Sequence, residues 1–95
     1  MIEKLNEFIK KHPFCIVQIS AIWCSTCKPM EKIVSAIAKQ KEIPILKLEA
    51  GERLRKVTNT YFVASVPTFL IFKEGKIENR IVGTKSENQI KQILG

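Results

Sequence analysis

The chain has 95 residues, of which 45% are hydrophobic and 26% charged, with four glycines and four prolines. This composition fits an ordinary globular protein and excludes a disordered chain, and the length suits one small domain, so we expect a single domain over residues 1–95. No apolar run approaches the ~20 residues of a membrane span, and the N-terminal segment lacks the apolar core of a signal peptide. We therefore expect a cytoplasmic protein without membrane association.

The formal net charge of +7 raises the question of an acidic partner such as nucleic acid. Basic residues are interspersed with glutamates, no five like charges are adjacent, and aromatic residues do not alternate with basic ones. We interpret the charge as a solvated basic surface and expect no nucleic-acid binding. The chain contains no aspartate, so all of its acidic residues are glutamates.

Helices and strands alternate in the first half of the chain. Residues 2–11 carry apolar side chains at near-helical spacing, and a His-Pro pair ends that helix. Residues 14–20 form an apolar run rich in β-branched side chains, which is typical of a strand buried on both faces. After a pair of cysteines, residues 30–38 show the single apolar stripe of a helix, and a second strand follows at 45–49.

The second half contains a hairpin between two helices. Residues 54–61 have the spacing of a short helix, and strands at 68–72 and 77–82 flank a glycine-containing turn over residues 73–76. Two pairs of residues offer a capping box for the last helix, namely Thr84 with Glu87 and Ser86 with Gln89.

The predicted element order is therefore α-β-α-β-α-β-β-α. Alternating strands and helices require a parallel strand pair, whereas the hairpin must be antiparallel. We expect an α/β fold with a four-stranded mixed sheet flanked by helices on both faces. The cysteine pair follows the central strand, at the carboxyl edge of the sheet where such folds place their sites.

Cys24 and Cys27 form a C-x-x-C motif, which can bind metal, staple the chain or carry out redox chemistry. A structural zinc site needs four ligands, and neither Cys15 nor His12 belongs to a second ligand pair, so we expect no metal site. An iron–sulfur cluster shared between two subunits remains open. A disulfide across so short a loop would be a poor staple. Three cysteines, an odd number, also argue against a disulfide scaffold.

Redox chemistry suits this location because unpaired amides and the positive dipole end at a helix start stabilise a thiolate. We place Cys24 in that first helical turn. Lowering the pKa of a thiol from about 8.5 to about 7 corresponds to about 2 kcal/mol and makes about half of it thiolate at pH 7. We therefore predict that Cys24 is the nucleophile and that Cys27, one turn further and deeper, resolves the mixed disulfide.

Two blocks carry a resemblance to a known family. W-C-S-T-C-K after a strand resembles the active-site segment of thioredoxins. V-P-T-F-L-I-F-K-E-G-K, which begins about forty residues after Cys27, resembles the thioredoxin segment with its cis-proline, strand and hairpin. With the later R-I-V-G, the resemblance covers most of residues 14–95. It implies a thioredoxin-like fold, in a short form that lacks the first strand, and a protein disulfide reductase.

The resemblance also assigns residues to a substrate surface. Trp23 would flank the nucleophile, although by itself it suggests a core residue. Pro67 matches a proline whose preceding bond is cis, which would bring the Val66 backbone beside the cysteines. Val82 and Gly83 match an apolar rim opposite. Lys47 falls where many thioredoxins have a strand lysine near the site, and by itself is equally well explained as a solvated residue.

Several positions depart from the family pattern. Gln18 stands where thioredoxins carry a buried aspartate, which is thought to deprotonate the second cysteine, and glutamine cannot titrate. Glu49 is the one candidate substitute. Ser25-Thr26 replaces the common Gly-Pro and should tune the reduction potential. Pro29 lies early enough in the helix to be tolerated, with a kink as the alternative.

The resemblance implies disulfide-containing protein substrates, no bound cofactor beyond the redox-active Cys24–Cys27 disulfide, and an NADPH-dependent thioredoxin reductase as electron donor. It also implies roles in electron transport and cell redox homeostasis. The alternative is a peptide-binding adaptor with incidental redox activity. We expect a monomer, with a dimer through the edge strand at 45–49 left open. Cys15 we interpret as a buried strand residue, with a regulatory thiol as the alternative.

Overall fold

The computed structural model of this chain describes residues 2–95, apart from the side chain of Arg53. The elements follow the predicted order. They are α1 (Ile2–Lys11), β1 (Phe14–Ser20), α2 (Cys27–Gln40), β2 (Ile45–Glu49), a 3-10 turn (Glu52–Leu54), α3 (Arg55–Thr60), β3 (Thr68–Lys73), β4 (Lys76–Val82) and α4 (Glu87–Leu94). Within these described residues, no helix is long and apolar enough to cross a membrane.

The four strands form one mixed sheet in the order β2-β1-β3-β4. Strands β1 and β2 are parallel, whereas β1–β3 and β3–β4 are antiparallel. This confirms the predicted parallel pair and hairpin. β1 is an inner strand, and the strand at 45–49 lies at an edge, as expected.

Alternating side chains of the inner strands supply two apolar cores, one on each face of the sheet. One core joins α2 and α4 to strand residues that include Ile16, Phe69 and Ile71. The other joins α1 and α3 to strand residues that include Val17 and Phe72. Five consecutive residues of β1 are buried, which confirms the strand buried on both faces.

Local chemistry sets the turns. Glu74 and Gly75 have φ of 53° and 80°, as a tight two-residue hairpin turn requires. Ser86 caps α4. Its hydroxyl oxygen accepts a hydrogen bond from the backbone N–H of Gln89, and the side-chain oxygen of Gln89 accepts one from the backbone N–H of Ser86. Of the two predicted capping boxes, the structure therefore uses the second.

Candidate functional site

The two cysteines of the C-x-x-C motif form a disulfide bond at the carboxyl end of β1. Their Cα atoms are 5.4 Å apart, which suits a disulfide. Cys24 is partly exposed, whereas Cys27 is only 2% exposed. The arrangement therefore presents one sulfur to solvent and keeps the other inside.

The start of α2 differs from the prediction. The helix begins at Cys27, not at Cys24, and its N-cap residue Thr26 makes no side-chain capping bond. The Cys27 amide donates to the Cys24 carbonyl over 3.4 Å, and the Cys24 amide donates to the Ala21 carbonyl over 3.1 Å. The placement of Cys24 in the first helical turn was therefore wrong. Residues 24–27 form a turn that precedes the helix and ends at its first residue, Cys27.

The sulfur of Cys24 nevertheless lies at the helix start, because it is bonded to the first helical residue. The hydroxyl of Thr26 is 3.5 Å from that sulfur and is the donor in this contact, because a disulfide sulfur carries no proton. Ser25 is exposed. Pro29 is the third residue of α2, where an amide would have no intrahelical acceptor. The helix runs unbroken past it to Gln40.

Two further segments meet beside one another. The Val66–Pro67 peptide bond is cis. The Gly83 amide donates to the Pro67 carbonyl over 3.0 Å, and Val82 pairs with Thr68. The structure thus brings together Val66, Pro67, Val82 and Gly83, which the sequence separates by about fifteen residues.

Apolar side chains are exposed near the disulfide. Trp23 is 75% exposed and its neighbour Ile22 is 83% exposed, so the core interpretation of Trp23 was wrong. Trp23 lines an open groove of about 250 Å³ together with Val63 and Val66. Sequence reasoning missed Ile22 and the 83% exposed Phe62, since neither belongs to a recognisable motif.

Gln18 lies in the middle of β1 and is 1% exposed. It pairs with Lys47 on β2 and with Phe69 on β3. Within the described chain, its side-chain oxygen accepts no hydrogen bond. Glu49 pairs instead with Ser20 and is exposed, so it does not supply the buried carboxylate considered for this position.

Lys47 forms an ion pair that the sequence did not reveal. Its ammonium group is 2.9 Å from a carboxylate oxygen of Glu31, four residues after Cys27 on α2. The two side chains are 56% and 32% exposed, so solvent weakens their attraction. The pair joins the edge strand to the helix that begins at the site.

Cys15 is fully buried in β1 and is not in a disulfide. Burial raises the pKa of its thiol to about 11. The prediction of a buried strand cysteine is confirmed. In the part of the chain that the structure describes, no three Cys, His or acidic side chains are grouped to hold a metal ion.

Comparisons with known proteins agree with this geometry. The family model described as thioredoxin matches residues 2–95. Thioredoxin H-type 1 of Nicotiana tabacum is 34% identical, and the match covers 98% of this chain and 77% of that protein. Thioredoxin H2 of Arabidopsis thaliana is 33% identical over 93% of this chain, which spans 66% of that relative.

Solved structures give the same result. Thioredoxin NaTrxh from Nicotiana alata superposes with a TM-score of 0.76 at 30% identity, covering 98% of this chain and 83% of that one. A mutant thioredoxin from Halobacterium salinarum superposes with a TM-score of 0.85 at 23% identity, covering 97% of this chain and 80% of that one. This similarity supports the fold alone. The chain belongs to the thioredoxin family of thiol–disulfide oxidoreductases, and its Cys24–Cys27 pair is a C-x-x-C redox motif.

Proposed function

We propose that this protein reduces disulfide bonds in other proteins, with Cys24 as the nucleophile and Cys27 as the resolving cysteine. One observation carries this assignment: the sulfurs are bonded, yet Cys24 is partly exposed while Cys27 is 2% exposed. A substrate sulfur reaches Cys24 first. Cys27 is then held ready for the second exchange.

The reaction is two thiol–disulfide exchanges. The Cys24 thiolate attacks a substrate disulfide, a mixed disulfide forms, and the leaving substrate sulfur takes a proton from solvent. Cys27, after losing its own proton, attacks the Cys24 sulfur and releases the second substrate sulfur. Two electrons pass to the substrate, and Cys24–Cys27 becomes a disulfide.

The Cys24 thiolate is stabilised by its surroundings. Its sulfur lies at the positive end of the α2 dipole, and Thr26 can donate a hydrogen bond to it. Lys28 adds a positive charge next to Cys27 in the chain, and no acidic residue occurs between Glu7 and Glu31. The thiolate therefore meets no nearby like charge from its own segment.

Trp23, Val66, Pro67, Val82 and Gly83 form the substrate surface in this proposal. The Val66 backbone, before the cis bond to Pro67, would pair with an extended substrate chain, and Val82 and Gly83 would form the opposite rim. What supports this role is that Trp23, next to Cys24 in the chain, is 75% exposed and lines one groove with Val66, while the Gly83 amide donates to the Pro67 carbonyl.

Gln18, Ser25, Thr26 and Lys47 modulate the exchange. Gln18 is buried and cannot take a proton, so the proton of Cys27 leaves through water instead of a carboxylate in β1. Thr26 adjusts the stability of the Cys24 thiolate and hence the reduction potential. Lys47 acts indirectly, because it holds Glu31 on α2.

The cell would need a donor to restore the dithiol. We propose a flavoprotein thioredoxin reductase that uses NADPH, and a monomer working in the cytoplasm as part of redox homeostasis. The family supports a protein disulfide substrate, and the H-type names of the relatives favour this location.

Insulin reduction with dithiothreitol as donor tests the proposal. Precipitation of the insulin B chain should accelerate with the wild-type protein, and Cys24→Ser and Cys27→Ser should each abolish turnover. Cys15→Ala is the matched control, since it removes the one cysteine outside the motif and should retain activity. Activity that survives Cys24→Ser, or a wild-type protein with none, would favour the adaptor instead.

A further inference from the structure

Phe62 combines two unfavourable properties. Its φ is +55°, in the left-handed region that sterically disfavours residues with a large side chain. Its ring is also 83% exposed, so burial does not offset this conformation. An aromatic residue in this position calls for an explanation, because glycine would remove both costs.

The surrounding hydrogen bonds hold Phe62 in place. The Tyr61 amide donates to Val57 over 3.0 Å and the Val63 amide to Thr58 over 2.8 Å, which ends α3 with a left-handed residue at the position glycine usually takes. Arg80 on β4 donates to the carbonyls of Tyr61 at 2.5 Å and Phe62 at 3.3 Å. The backbone under the exposed ring is thus fixed.

The location of Phe62 connects it to the redox centre. Val63, the next residue, and Val66 line the groove that Trp23 also lines. The same loop then reaches the cis bond before Pro67. Phe62 therefore directly precedes a residue of the groove that Trp23, the chain neighbour of Cys24, also lines. We call residues 21–30, 61–67 and 82–86 the redox face.

Charge on this face has one sign. Its three segments contain Lys28 and Lys85 and no acidic residue. Arg55 and Lys56 are exposed on α3, the helix that leads to Phe62. The nearest acidic residue along the chain from Cys27 is Glu31, and Lys47 neutralises it at 2.9 Å. The face so defined is complementary to a negatively charged partner, and the exposed Glu49 and Glu52, which flank the groove residues Ala50 and Gly51, lie outside it.

We propose that Phe62 is a specificity-determining residue and that the preferred substrates are acidic polypeptides that place an apolar side chain against its ring. This inference rests on the proposed disulfide reductase function. Opposite charge accelerates the encounter, whereas contact with a fixed aromatic ring slows dissociation. Together they select acidic disulfide proteins over basic ones.

The test compares two disulfide peptides that differ only in carrying glutamates or lysines beside a common leucine, with the neutral small disulfide 4,4′-dithiodipyridine as a third substrate. Trp23, the one tryptophan of the chain, reports oxidation of the reduced protein by its fluorescence in single turnovers. Wild-type protein should react about tenfold faster with the acidic peptide at low concentration, and 1 M salt should remove this preference.

Phe62→Gly should raise the half-saturation concentration for the acidic peptide about tenfold, with less than a twofold change in the limiting rate. Glu42→Gly is the matched control, because Glu42 has a similar left-handed φ of +57° and lies just after the C-terminal end of α2, outside the redox face. Both glycine variants should show a higher melting temperature, since both relieve left-handed strain. Only Phe62→Gly should weaken substrate saturation.

The outcomes separate the two proposals. Equal half-saturation for Phe62→Gly and Glu42→Gly overturns the role of Phe62, and equal rates with both peptides overturn the acidic substrate class. A wild-type protein that reduces neither peptide nor 4,4′-dithiodipyridine overturns the proposed function instead.

Discussion

Replacing Gln18 by glutamate puts a carboxyl group of nearly the same shape into the middle of β1. The site is 1% exposed, and its neighbours Ile16 and Phe69 pack in the core under α2. A carboxylate there would lose most of its hydration, so the pKa of the new carboxyl group should rise above its value in the unfolded chain. The folded state then binds the proton more tightly than the unfolded state does.

The sign of the effect on stability follows from this difference. The variant is most stable below the unfolded pKa of about 4.3, and it loses stability as the pH rises towards the folded pKa. Each unit by which the folded pKa is raised costs about 1.4 kcal/mol of unfolding free energy at higher pH. For a domain of this size, that corresponds to a fall of about 5–11 °C in melting temperature.

Thermal denaturation followed by circular dichroism between pH 4 and pH 9 measures this loss. The melting temperature of Gln18→Glu should fall relative to wild type as the pH rises from 4, and the difference should level off once the pH exceeds the folded pKa. Gln92→Glu, a matched change at an exposed position of α4, should follow the wild-type curve. If the Gln18→Glu curve also runs parallel to wild type, then the carboxylate is hydrated and the dry environment inferred for residue 18 is wrong.

Two further predictions concern the buried Cys15 thiol and the cap of α4. The complete burial of Cys15 and its raised pKa, about 11, predict that iodoacetamide at pH 8 modifies the partly exposed Cys24 of the reduced folded protein quickly and Cys15 only in denaturant. Mass spectrometry showing Cys15 modified as fast as Cys24 would contradict this. Ser86→Ala should lower the free energy of unfolding by about 1 kcal/mol in urea titrations, because the Gln89 amide loses its acceptor at 3.2 Å, whereas Thr84→Ala should cost much less. Equal losses would mean that the capping box is not the source.

Periodicity and turn chemistry predicted the fold well. The five buried residues of β1 appear in the sequence as an apolar run, and the Glu74–Gly75 turn appears as a glycine between two strands. These signals are local, so one segment suffices to detect them. Cys24 and Cys27 were recognised because their spacing is itself the chemical signal.

What could not be predicted depends on contacts between distant segments. The start of α2 was misplaced because the Cys24–Cys27 turn resembles a helical turn and Thr26 makes no capping bond that would mark the boundary. The Lys47–Glu31 pair requires both the strand register and the helix orientation. The left-handed Phe62 carries no glycine signal, and Arg80, eighteen residues later, holds its carbonyl.

The hairpin turn at Glu74–Gly75 is exposed and lies at the end of β3 opposite to Pro67. Exposed turn tips are the positions that best accept inserted sequence. A fluorescent reporter or an immobilisation tag inserted between these two residues would therefore lie at the end of the sheet opposite to the cysteines. This turn is an attachment point for sensors and affinity supports that leaves the redox face accessible.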